Sequence, residues 1–188
     1  MIKDEWGMQR RVAGYHDIRM DGMTDLVMRA KDASVLDIGC NRGLVAFEFA
    51  NNGARIVAGC DNYAEGIETA RHIFADLRHI SSQFEVVDLT KSGALKVFRE
   101  PVYDIVVMLA TYHKLKRIMK PDALSELMQD IGKRTLHYFG WRGTSDKPDE
   151  NEEEIDALDH DLSGVGLQRI HTSYISRELA VAAIWGRL

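Results

Sequence analysis

The sequence predicts a single doubly wound α/β domain, with a mostly parallel seven-stranded sheet that ends in an antiparallel hairpin. Three observations lead there. Short β-branched apolar runs alternate with longer stretches of helical periodicity, the pattern of strands joined by crossover helices. Two apolar runs near the C-terminus are separated only by Ser176 and Arg177. So short a link makes a hairpin, because a parallel crossover needs a dozen or more residues. Finally, a glycine-rich turn joins the first strand to the first helix, which is where open α/β sheets take their ligands.

In chain order, residues 34–38 (SVLDI) read as the first strand and residues 44–51 as a helix. Gly53 closes that helix, since a residue free to take positive φ suits the position after the last turn. Residues 55–60 form the second strand. Residues 64–77 read as a helix because Ile67, Ala70, Ile73, Phe74 and Leu77 make one apolar stripe. A third strand is expected at 84–88 and a short helix at 93–98, before Pro101. Residues 103–109 (YDIVVML) are apolar enough for a central strand covered on both faces. A basic loop follows, and Pro121 then opens a helix that runs to about Gly132. Residues 135–141 make the fifth strand. Turn formers and charge at 142–151 read as a loop, followed by an acidic helix at 152–162 and the hairpin strands at 167–175 and 178–185. Residues 1–31 contain no clear strand and look helical in pieces. They are expected to form a cap or lid ahead of a binding domain at 32–188.

At 188 residues the chain can bury a real core without disulfides or metals as staples. Its 45% hydrophobic and 28% charged residues match a globular protein, not a disordered one. No apolar run approaches the roughly 20 residues of a membrane span, and MIKDEWGMQRR lacks the apolar stretch of a signal peptide, so a cytoplasmic location is expected. Cys40 and Cys60 are the only cysteines and lack CxxC spacing, so reduced thiols and no metal are expected. A net charge of -5 argues against sequence-independent nucleic-acid binding. The charge is uneven, however. Residues 149–161 carry many Asp and Glu with no Lys or Arg, whereas Lys114, Lys116, Arg117 and Lys120 cluster upstream.

The turn reads V-L-D-I-G-C-N-R-G over residues 35–43. Gly39 and Gly43 let the backbone pass close to a ligand, and Asn41, standing between them, tolerates left-handed geometry. A dinucleotide turn of the form GxGxxG places pyrophosphate here, where the carboxylate of Asp37 would repel it. Asp37 instead favours a cationic ligand, such as the ammonium or sulfonium region of S-adenosylmethionine, and disfavours NAD. Asp61 ends the second strand in V-A-G-C-D-N, where a carboxylate accepts hydrogen bonds from ribose hydroxyls. Asp88, in F-E-V-V-D-L, can accept from an adenine amine.

These motifs, in this order, resemble the class I S-adenosylmethionine-dependent methyltransferases over about residue 34 to the C-terminus, terminal hairpin included. The resemblance implies S-adenosylmethionine as cofactor, held by Asp37, Gly39, Cys40, Asn41 and Gly43 at the turn. It further implies Asp61 and Asn62 at the ribose, Asp88 and Leu89 at the adenine, and Ala110 where the fourth strand ends at the transferred methyl. His113 and Tyr112 follow that strand, where the family places residues that face the acceptor. His113 is the candidate base and Tyr112 a candidate packing group over adenine or acceptor. By the same analogy Arg11 or Tyr15 would contact the methionine carboxylate. The implied activity is methyl transfer to an oxygen or nitrogen of a small molecule. The Tyr112–His113 pair is also similar, more loosely, to transferases that modify wobble uridine in tRNA, which makes RNA the alternative acceptor. A non-catalytic S-adenosylmethionine-binding partner subunit is a further alternative.

Overall fold

The computed structural model describes residues 2–3, 9–10, 20–143, 148–175 and 180–187. Two short strands, β1 (Ile2–Lys3) and β2 (Gln9–Arg10), pair antiparallel. Helix α1 (Thr24–Val27) leads into β3 (Ser34–Ile38), α2 (Leu44–Asn51), β4 (Ile56–Asp61), α3 (Ala64–Ala75) and β5 (Ser81–Val86). A 3-10 turn at Ala94–Val97 precedes β6 (Tyr103–Leu109), α4 (Tyr112–Ile118), α5 (Pro121–Lys133) and β7 (Thr135–Arg142). Helix α6 (Pro148–Ser163) and the strands β8 (Leu167–Ile175) and β9 (Ala180–Arg187) complete the chain.

The main sheet has seven strands in the order β5-β4-β3-β6-β7-β9-β8. The strands β3 to β7 are all parallel, and β9 pairs antiparallel with both β7 and β8, so the expected doubly wound sheet with a terminal hairpin is borne out. The order reverses between β3 and β6, which makes their carboxyl ends the crevice where such sheets bind ligands. One face packs Phe139, Trp141 and Trp185 under α4, α5 and α6, and the other packs Phe49, Ile67 and Phe74 under α1, α2 and α3. Both faces are therefore covered, as a parallel sheet requires.

Several boundaries differ from expectation, each for a physical reason. The third strand runs over Ser81–Val86, not 84–88, so Asp88 lies two residues past its end. It is the sheet edge, where Phe84 is buried while Ser81 and Ser82 are exposed; backbone pairing with β4 holds it without an apolar run. The basic stretch after β6 is the helix α4, not a loop. Only Tyr112 and Leu115 on it are buried, one turn apart, so its helical signal is thin. The acidic helix begins at Pro148, with Asp149 and Glu150 in the first turn where they favour the positive end of the helix. The last strand is shifted to Ala180–Arg187, and the linking residues Ser176 and Arg177 lie outside the described residues. The N-terminal segment does hold a strand pair, and its residues Met23, Leu26 and Ala30 are built into the main core. A Cβ at Gly140 on β7 would come within 3.1 Å of the Met23 sulfur, which shows how tightly α1 sits on the sheet. Arg11 and Tyr15 lie outside the described residues. Among the described residues no helix is long and apolar enough to cross a membrane.

Candidate active site

The turn between β3 and α2 takes left-handed backbone at Gly39 (φ 79), Asn41 (φ 50) and Gly43 (φ 74). The amides of Gly39 and Cys40 both donate to the Cys60 carbonyl, at 2.8 and 3.0 Å, which pins the turn to β4. Packing demands glycine as firmly as φ does. A Cβ at Gly39 would collide with the Thr111 side chain, and one at Gly43 would lie 2.8 Å from the Ala70 Cβ.

Asp61 is held by two amides: Asn41 N–H donates to Oδ2 at 2.9 Å and Tyr63 N–H to Oδ1 at 3.0 Å. Each carboxylate oxygen retains a lone pair for a ligand hydroxyl. Asp88 accepts from the Thr90 hydroxyl at 2.6 Å and the Thr90 amide at 3.0 Å, both on Oδ1. Those bonds, the hydroxyl first, hold its carboxyl below the usual aspartate range. Asp37 is buried within β3 at 2% exposure.

Two adjoining cavities open at this edge of the sheet. The larger, about 310 Å³, is walled by Asp37, Cys40, Asn41, Arg42, Val45 and Ala110. The smaller, about 130 Å³, is walled by Asn62, Asp88, Leu89, Leu115 and Ile118. Gly39, Asp61, Thr111 and Lys114 belong to both and mark the junction. Of the expected cofactor residues, all but Gly43 thus reach a cavity wall, and Gly43 shapes the turn behind it.

The backbone of Ala110 is left-handed (φ 57), a conformation that costs a non-glycine residue about 1–2 kcal/mol. Its amide donates to the Arg142 carbonyl at 3.0 Å, so the strained residue is tied to the end of β7. Both cysteines are buried and free. Burial pushes the Cys60 thiol up to about 12 and that of Cys40 higher still, so neither is a thiolate at neutral pH. They serve as small fillers: a Cβ on Gly59 would sit 2.9 Å from the Cys40 sulfur.

The two residues expected to face the acceptor are not on either cavity wall. Tyr112 is turned into the core at 3% exposure, and burial, with Asp161 and Glu154 nearby, pushes its phenol up to about 12. His113 is half-buried on α4; burial, then Lys114 and Arg117, lower its pKa and favour the neutral ring. In their place α4 presents Lys114, Leu115 and Ile118, with Thr111 just before it. Sequence reasoning passed over Arg42, although it stands inside the glycine turn, and gave no role of its own to Thr111, which opens the run 111–115 two residues past the strand end.

Residues 35–131 match the family model described as a methyltransferase domain, just over half of the chain. The chain belongs to the methyltransferase domain family. As expected from its motifs, it is a class I S-adenosylmethionine-dependent methyltransferase. No curated protein sequence is similar enough to count as a relative. Among solved structures, magnesium protoporphyrin IX methyltransferase from Synechocystis PCC 6803 with bound S-adenosylhomocysteine is 15% identical, with a TM-score of 0.67 over 96% of this chain and 90% of that one. The N-methyltransferase NodS from Bradyrhizobium japonicum WM9 is 11% identical, with a TM-score of 0.62 over 91% and 97%. A chain of the complex between the Trm112 methyltransferase activator and a methyltransferase from Haloferax volcanii is 12% identical, with a TM-score of 0.66 over 91% and 90%. At such identities the likeness concerns the fold.

Proposed function

We propose that this methyltransferase acts in the cytoplasm and transfers a methyl group to an oxygen or nitrogen of a small molecule. The observation that carries the reading is the pair of cavities at the carboxyl ends of β3, β4 and β6, with the acids Asp37, Asp61 and Asp88 around a glycine turn that leaves no room for a side chain.

The residues present fit S-adenosylmethionine. Asp61, oriented by two backbone amides, is the acceptor for the ribose hydroxyls. Asp88, with Asn62 beside it and Leu89 and Ile118 as apolar walls, suits the adenine. Asp37 and Arg42 supply one charge of each sign for an amino-acid end. When bound, S-adenosylmethionine supplies a methyl group on a sulfonium, which is electrophilic without further activation.

The work of the chain in this reading is alignment, holding the acceptor in line at the end of β6. Thr111 and Lys114 are the polar groups assigned to that end. His113, one residue before Lys114, would reach an acceptor proton only through a water molecule, since it stands off the cavity wall. Lys116, one of the basic residues of α4, is spent on Glu153 at 3.3 Å, which leaves less positive charge there for a nucleic-acid strand.

Calorimetry with S-adenosylmethionine and with NAD, followed by a methyl-transfer screen across metabolite and RNA pools, tests the proposal. Binding of S-adenosylmethionine alone and transfer to a metabolite are the expected results. Transfer confined to the RNA pool would overturn the small-molecule assignment.

A further inference from the structure

The start of α4 meets the glycine turn at one point. Thr111 is the residue before that helix, a position where threonine usually bonds a free amide of the first turn. Here its side chain makes no such cap. Its hydroxyl donates backward instead, to the Leu109 carbonyl at 3.2 Å, and the side chain lies against the α-carbon of Gly39. A Cβ on Gly39 would collide with the Thr111 oxygen and come within 2.9 and 3.0 Å of its Cγ2 and Cβ. The space that the missing side chain leaves is thus filled by another residue of the chain and not kept open for a ligand.

Backbone bonds hold both partners of this joint in place. The Gly39 amide is pinned to β4 through the Cys60 carbonyl at 2.8 Å. On the other side, the left-handed Ala110 (φ 57), whose amide is tied to the Arg142 carbonyl, turns the chain between the end of β6 and Thr111. The strained residue thus stands directly before the side chain that fills the notch. The Thr111 carbonyl then accepts from the Lys114 and Leu115 amides at 3.0 and 3.3 Å, the first bonds of α4. Both cavities have Gly39 and Thr111 in their walls, so the contact forms a ledge at their junction.

Resting on the reading that S-adenosylmethionine spans the two cavities, we propose that Thr111 is a positioning residue for the cofactor, and that Gly39 is glycine in order to admit it. A ligand that reaches both cavities crosses over the ledge, because nothing passes between two groups already in contact. In the cofactor the sulfur joins the nucleoside to the amino-acid part, so the ledge fixes where the sulfur crosses and with it the line along which the methyl departs. It also fixes the start of α4, and through it Lys114, Leu115 and Ile118 on the cavity walls.

A double-mutant cycle in the whole protein tests this, read by calorimetry with S-adenosylhomocysteine and by thermal melts of the protein alone. In the wild-type background Gly39→Ala drives a methyl into Thr111 and should weaken binding at least about tenfold, the scale of overpacking a filled site. In Thr111→Gly, where the notch is empty, the same Gly39→Ala change should weaken binding by less than about threefold, so the two positions couple strongly. Alanine at a left-handed φ is strained in either background, so the melting temperature should fall in both while affinity is lost in only one. Thr111→Ser keeps the oxygen in the notch and should bind more tightly than Thr111→Ala. An equal effect of Gly39→Ala in both backgrounds would overturn the proposal, because the glycine would then serve the ligand itself. So would Thr111→Ala that binds at least as tightly as Thr111→Ser. If Gly39→Ala alone does not fold, the double variant, freed of the collision, should fold and bind within about threefold of Thr111→Gly. A double variant that fails in either respect overturns the proposal. Failure of wild type to bind S-adenosylhomocysteine is a distinct outcome, seen before any variant is made, and it would remove the cofactor reading together with the proposal.

Discussion

The two halves of the sheet treat their acidic residues differently. In the half built from β3, β4 and β5, Asp61 and Asp88 sit at or just beyond strand ends, reach solvent, and accept short hydrogen bonds from neighbouring backbone amides. In the half covered by α6, Glu154 is 3% exposed; burial, only partly offset by Lys116 and Arg117, pushes its carboxyl up to about 7. The first arrangement prepares ionised oxygens for a ligand. The second hides a carboxyl beside Tyr112 at the cost of stability when it ionises. In the proposed reading the acids of the first half, Asp61 and Asp88 at the cavity rim and Asp37 buried in β3 behind it, serve the ligand, while Glu154 belongs to the helix cover.

The most severe way to disturb the first half is Gly39→Val. It combines a left-handed backbone with a side chain driven into Thr111. The variant should lose cofactor affinity by at least about 100-fold or unfold, since a β-branched residue at positive φ is a genuine outlier. Calorimetry together with a thermal melt separates the two outcomes.

The second half should respond in the opposite sense. With a folded pKa of about 7 against an ordinary 4.5, Glu154 binds more protons in the native state between those values, so it lowers stability as pH rises through that window. Glu154→Gln removes the cost. The variant should be more stable than wild type by about 1–3 kcal/mol at pH 8, with the gain fading as the pH falls toward 4.5. Urea melts at the two pH values measure it, and a variant less stable at both would mean that the carboxylate is paired and not merely buried.

The smallest effect is expected where the sequence suggested the most chemistry. Because His113 stands off both cavity walls, His113→Ala should lower the methylation rate by less than about tenfold, well short of the 10²–10⁴ typical of a direct base. The rate profiles of wild type and variant should run parallel across pH.

These differences follow what a sequence can carry. The glycine turn of the candidate site was legible because its geometry is local: Asp37, Gly39 and Gly43 lie in one short stretch, and Asp61 ends the strand that pairs with it. The side of the cavities formed by α4 was less legible because helix rotation decides it. On α4 the core takes Tyr112 and Leu115 while Lys114 turns to the cavity, and a stretch read as loop gives no such phase. The limits of β5 were missed because an edge strand is held by backbone bonds that leave no apolar trace at Ser81 and Ser82. Neither Arg142, buried at 2% exposure at the end of β7, nor the depth of Glu154 could be read from charged residues in a polar stretch.

The central claim is that S-adenosylmethionine lies at the carboxyl ends of β3 and β4 with its ribose on Asp61. Calorimetry of wild type and Asp61→Ala with S-adenosylhomocysteine tests it most directly, with the thermal melt of each protein measured alongside. The account predicts a loss of about 1–3 kcal/mol of binding energy in the variant, the scale of hydrogen bonds to a charged group, with NAD binding to neither protein. Unchanged affinity in a folded Asp61→Ala variant would contradict it.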